Sequence, residues 1–192
     1  MPVIRINQPI DDRSARTIGR ALRAAEEQSP PGVIVEINTP GGTVHACKSL
    51  ADTLSGLEVP VYALVDRAEA AGAILVFAAD HIYMKPDGRI GAVTTQVPSN
   101  PRAQWIADFE EEIAAVARRK GHDPTIARAM VNPERELVIN GRTICRKGEL
   151  LNLTGGYARR IGLSAGTAET ARAGSARSAL GSGRAGCWLC AV

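Results

Sequence analysis

The chain has 192 residues, 45% of them hydrophobic and 22% charged, with a formal net charge of +3. That is enough chain for one domain with a full core and too little for two large ones. Basic residues are spread along the sequence and aromatics make up only 4%. Neither an electrostatic footprint nor a stacking platform for nucleic acid is therefore expected, and the core must be aliphatic and rich in alanine.

Pro2-Val3-Ile4-Arg5-Ile6 reads as a strand, with no basic start and apolar stretch of a signal peptide before it. No run reaches the ~18 apolar residues of a membrane span, so the expected location is cytoplasmic. Asp11 or Asp12 can cap a helix to about Gln28, with Ile18, Leu22 and Ala25 as its apolar stripe, and Pro30-Pro31-Gly32 stops it. Val33 to Ile37 is a strand apolar at nearly every position, the pattern of a strand covered on both faces. A helix from Thr43 to about Ser55 turns Val44, Cys47, Leu50, Ala51 and Leu54 inward and ends at Gly56.

Pro60 to Val65 is the third strand, Ala70 to Ala79 a buried helix, and His81 to Met84 a short strand before a turn at Pro86-Asp87-Gly88. Strand and helix alternating in this way predict an α/β fold with a parallel sheet and crossover helices. Right-handed crossovers place the helix starts at one end of the sheet, where such proteins bind ligands. Residues 91–101 read as a polar loop, Arg102 to Lys120 as a long helix, and Asp123 as the cap of another helix that contains Ile126, Ala129 and Met130. Glu136 to Cys145 reads as a hairpin around Asn140-Gly141. Thr154 can cap a last short helix that ends near Gly162. Residues 1–167 form the expected domain, and 168–192, an Ala/Gly/Ser/Arg mixture without apolar period, the expected flexible tail.

Two strand-to-helix turns carry the chemistry. Asn38-Thr39-Pro40-Gly41-Gly42-Thr43 is the first and Ala68-Glu69-Ala70-Ala71-Gly72 the second. On neighbouring parallel strands they gather several backbone N–H groups around one point, as an oxyanion site requires. Gly41 and Gly42 permit a sharp turn and a close approach to substrate, and Ala71, entering a helix, offers a free N–H. The second turn holds no Ser, Cys or Thr.

Val33 to Gly42, Val59-Pro60-Val61, Ala78 to Met84, Gly88 to Ala92, Gly121 to Ala127 and Lys147 to Thr154 together resemble the ClpP-like serine peptidases. Within that superfamily the order and spacing are most similar to the signal-peptide peptidase A and NfeD (stomatin-associated) branch. The resemblance covers residues 2–167. It implies the ClpP/crotonase fold, a spiral of β-β-α units, assembly into homo-oligomers, and an extended peptide or protein as substrate. It leaves open a membrane partner of the NfeD kind, which nothing in these residues indicates. By the same resemblance Ala70 stands where the family has its nucleophilic serine and Ala114 where the NfeD branch has its lysine base. The Ser-Lys dyad is missing, while Gly41, Gly42 and Ala71 retain the oxyanion and peptide-binding backbone.

Two alternatives use other residues. Ser99 could act as a displaced nucleophile in an active endopeptidase, although a loop serine is ordinarily just solvated. Glu69 could serve an acyl-thioester hydratase or isomerase of the crotonase type, yet the partner carboxylate and coenzyme A signatures of those enzymes are missing, and a carboxylate at a helix start is stabilised by the dipole alone. His45, His81 and His122 show no metal-ligand spacing, so no metal or other cofactor is expected. Cys47 and Cys145 read as core thiols, and Cys187 and Cys190 as an isolated C-x-x-C. The run Glu110 to Glu112 followed by Arg118 to Lys120 is explained by the helix dipole.

Overall fold

The computed structural model describes residues 1–91 and 102–171. The expected tail beyond 171, with Cys187 and Cys190, and the loop residue Ser99 lie outside them. In chain order the elements are β1 (Val3–Ile6), α1 (Asp12–Glu26), β2 (Val33–Thr39), α2 (Val44–Ser55) and β3 (Val61–Glu69). A single 3₁₀ turn (Ala70–Gly72) leads into α3 (Ala73–Phe77), followed by β4 (His81–Gly91), α4 (Arg102–Arg119) and α5 (Pro124–Val131). The hairpin strands β5 (Leu137–Ile139) and β6 (Arg142–Cys145), then β7 (Asn152–Thr154), α6 (Gly155–Arg160) and β8 (Gly166–Thr167) complete the series.

The main sheet has the order β1-β2-β3-β4-β7, with β8 also paired to β4. β1 to β4 are mutually parallel, and β7 runs antiparallel to the end of β4. Consecutive parallel strands joined by right-handed crossovers stack their helices on one face. Accordingly α1 packs on α2, α2 on α3 and α4, and α4 on α5. The apolar residues of β2 and β3 that point into this layer, Val33, Val35, Ile37, Val61, Ala63 and Val65, are fully buried or nearly so.

The opposite face differs from the expectation for β2. Ile34 and Leu64 are buried there, but Glu36 is joined by an ion-pair ladder: Arg5 at 3.1 Å and Lys85 at 3.0 Å, with Lys85 reaching Asp66 at 3.2 Å. The two carboxylates, Glu36 foremost, hold the Lys85 ammonium above its usual range.

Helix starts follow their caps. Asp11 closes a capping box with Ser14, Thr43 accepts from Ala46 N–H, and Asp123 accepts from Thr125 N–H with Pro124 at the first helical position. Three elements depart from the sequence expectation. The third strand runs on to Glu69, so the helix expected from Ala70 shrinks to the 3₁₀ turn and five residues. The turn at Pro86-Asp87-Gly88 is a bulge inside one continuous strand, where the register against β3 shifts between Val65 and Arg67. Thr154 precedes α6 but its side chain makes no capping hydrogen bond. The Asn140-Gly141 hairpin forms with both residues left-handed, at φ 52° and 73°.

Candidate active site

β2 and β3 end side by side, Thr39 paired with Ala68, so the two turns that follow them meet. The approach is close. A Cβ on Gly41 would stand 2.7 Å from Glu69 O, 2.9 Å from Ala70 Cβ and 3.3 Å from Ala71 N, and Gly41 itself has φ 99°. Only glycine fits both the space and the conformation. On Gly72 a Cβ would meet Thr39 Cγ2 at 2.8 Å. Gly41, Ala70 and Ala71, named from the sequence as parts of one site, are thus in contact.

Thr39 and the residues before α1 went unread in the sequence, and they pin the first turn. The fully buried Thr39 hydroxyl donates to Gln8 O at 2.8 Å and accepts from Gly41 N–H at 3.1 Å. Ile10 N–H donates to Gly41 O at 2.8 Å, and Thr43 N–H to Ile10 O at 3.0 Å. Gly42 forms a parallel bridge with Ile10, whose backbone would collide with any Cβ on Gly42. The Gly41 amide is therefore spent on building the turn. Among the described residues no hydrogen bond runs to the Gly42 N–H, and Gly42 is exposed. A hydroxyl directly after a buried strand and before Pro-Gly-Gly was the one available signal for Thr39.

At the second turn Ala70 adopts φ 49°, one of three non-glycine residues with positive φ among the described residues. A residue with a Cβ costs roughly 1–2 kcal/mol there. Ala71 is the second residue of the 3₁₀ turn, in the stretch where the first N–H groups have no partner within the helical segment. Ala70 and Glu69 are half-buried, and Ala71 is fully buried. The Glu69 side chain makes no capping hydrogen bond, and its cross-strand neighbour is Gly91 rather than a second carboxylate.

Ala114 lies fully buried on α4, beside Ile113 and Ala117 on the helix face turned inward. The helix packs against α2 and α3, the two helices that open at the glycine and alanine turns. The remaining candidates sit elsewhere. Burial pushes the Cys47 thiol up to about 12, which leaves it inert. His45 is exposed, and His81 stacks on Tyr62 with centroids 4.8 Å apart. His122 packs edge-on to Phe77 and meets Ala79 O at 2.7 Å, with burial lowering its pKa.

A strand order of parallel neighbours with a glycine turn against a strained strand-to-helix turn defines a ClpP-like α/β fold. The membrane-bound stomatin-specific protease 1510-N has the same fold. In a lysine-to-alanine variant bound to a substrate peptide it superposes with a TM-score of 0.73 at 21% identity, over 88% of this chain and 75% of that one. A serine-to-alanine variant gives 0.72 at 22% identity, over 88% and 80%. The chain belongs to the NfeD1b N-terminal domain family, whose model matches residues 1–176. It is 34% identical over 175 residues to Membrane protein NfeD1b of Bacillus subtilis (strain 168), covering 87% of this chain. It spans only 38% of that relative's length.

These relatives correct the expected location. The sequence was read as cytoplasmic because it lacks an apolar span, and no described helix is long and apolar enough to cross a membrane. Yet the similar proteins are named a membrane protein and a membrane-bound protease, which points to membrane association. A protein can be held at a membrane by a peripheral contact as well as by a span, so the lack of a long apolar run does not decide its location.

Proposed function

We propose that this domain is a ClpP-like serine peptidase homologue that keeps the backbone of the acyl-transfer site, lacks the Ser-Lys dyad, and binds extended peptide without hydrolysing it. The observation that carries the reading is the left-handed Ala70. A sharp strand-to-helix turn of this kind serves to present a nucleophile, and here it presents a methyl group. The backbone bears the strain of the elbow without its chemistry.

In this reading the Gly42 and Ala71 amides are the donors for a bound carbonyl, and Gly41 is the spacer that lets the two turns touch. Ala114 occupies the position of the base. A lysine there would bring a charge into the buried face of α4, which is tolerable only with a partner such as a serine hydroxyl at position 70. The bound peptide adds as a strand beside Gly41 to Val44. The names of the relatives suggest that the peptide belongs to a membrane-associated, stomatin-like protein, and the family resemblance that the domain works as a homo-oligomer.

Activity-based labelling tests the loss of the nucleophile. The wild-type chain is expected to resist a fluorophosphonate probe while binding fluorescent extended peptides in an anisotropy titration. Labelling of a native serine would overturn the reading and favour a displaced nucleophile such as Ser99. Ala70→Ser combined with Ala114→Lys is expected to restore probe labelling and slow peptide cleavage. A folded but inert double variant would count against the placement of the dyad.

A further inference from the structure

The bulge in β4 has a consequence for charge. After it, the register places Arg67 of β3 directly beside Arg89 of β4. Both side chains are exposed, whereas the following residues, Ala68 and Ile90, are fully buried, so the two guanidinium groups leave the sheet on one face. Like charges on paired strand positions repel. Elsewhere on the sheet the fold neutralises its basic residues: Arg5 and Lys85 are held by Glu36 and Asp66. Neither Arg67 nor Arg89 has an ion-pair partner among the described residues. The row continues with Asn38 beside Arg67 and Thr154 beside Arg89, so four strands in succession present no carboxylate.

Nearby acids do not fill the gap. Asp66 is engaged by Lys85. Asp87, two residues before Arg89, makes no ion pair among the described residues, and Glu69 faces Gly91. Residues 92–101 contain no Asp or Glu, so that segment cannot supply one. Position matters as much as charge. Arg67 precedes Glu69 by two residues on the same face of β3, one pleat before the Ala70 elbow.

We propose that Arg67 and Arg89 form an acidic subsite of the peptide-binding surface and select peptides carrying a carboxylate beside the elbow. The inference rests on the peptide-binding reading above. Each guanidinium is a planar fork suited to a carboxylate, two of them on paired strand positions lie within reach of the same one, and binding it relieves the repulsion between them. The Asn38 amide and Thr154 hydroxyl flank the fork with further donors.

The test is a neutral, C-terminally amidated decapeptide, the same peptide with one Glu walked along it, and a free-acid version, all read by fluorescence anisotropy. One register of Glu is expected to bind at least about tenfold tighter than the neutral host, with the gain shrinking at high salt. A gain in the free-acid peptide alone would assign the fork to a chain terminus instead. Arg67→Gln with Arg89→Gln should reduce the acidic-to-neutral ratio to about twofold or less, and Arg67→Glu with Arg89→Glu should transfer the preference to Lys. Binding of the neutral host with no gain at any register would overturn the subsite and leave the peptide reading standing. If no peptide binds, the peptide reading falls and tetraglutamate decides the fork. A rise in Tm in wild type but not in the double Gln variant supports anion binding, and no rise ends it.

Discussion

The two turns and the α4–α5 junction hold contrasting kinds of sequence and do contrasting work. The turns contain almost no chemistry-bearing side chain, yet the backbone there is strained, crowded and pinned by a buried threonine. The junction, in contrast, is dense with charge. Glu110 lies there with its side chain only 3% exposed, accepting from Arg135 Nε at 2.6 Å, Asn132 Nδ2 at 2.7 Å and Arg128 Nη1 at 3.2 Å. All three donors come from α5 or the segment after it, so the buried carboxylate ties the two helices together rather than facing a substrate. Of these two regions, the candidate site is made of backbone geometry, while the charges of the junction hold the fold together.

Breaking each region separates the two roles. The largest effect is expected at the junction. Glu110→Ala removes three hydrogen bonds, two of them from guanidinium groups, and leaves Arg135 and the Asn132 amide without this partner while Arg128 keeps Glu111. It should cost about 3 kcal/mol in denaturant unfolding. Gly41→Ala tests the crowded turn. With a Cβ held under 3 Å from Glu69 O and Ala70 Cβ at φ 99°, it should cost about 2 kcal/mol and abolish peptide binding. A well-folded Glu110→Ala protein would show that the clasp is ornamental, and a tolerated Gly41→Ala would show that the turns are not locked together. The smallest effect sharpens the comparison. Ala70→Gly removes a left-handed strain of roughly 1–2 kcal/mol but adds chain entropy of about 0.5–1, so a net gain of about 0.5 kcal/mol is expected in Tm or denaturant midpoint. A loss of stability instead would mean that the Ala70 methyl is needed for packing, and would weaken the case for an emptied elbow.

Much of this was legible in the residues themselves. The alternation of apolar strands and capped helices determined a parallel α/β sheet, because each cap and each period acts over a few neighbours. The glycine turn, the Asn140-Gly141 hairpin and the family resemblance were equally local, and the latter is what the NfeD1b match bears out. The acid-base run on α4, read as a response to the helix dipole, instead forms tertiary pairs: Glu112 with Lys48, Arg119 with Asp52 at 3.2 Å, Lys120 with Asp80 at 2.9 Å. Partners forty or more residues apart cannot be inferred from helical spacing.

What the sequence by itself determined is which elements form and where small residues allow two backbones to approach. Only the tertiary structure decided that Gly41 and Ala70 touch, that Thr39 spends the Gly41 amide, and that a bulge sets Arg67 beside Arg89. The reason is physical: caps and periods are properties of consecutive residues, whereas register, strain and charge neighbourhood arise only when distant strands are brought into pairing.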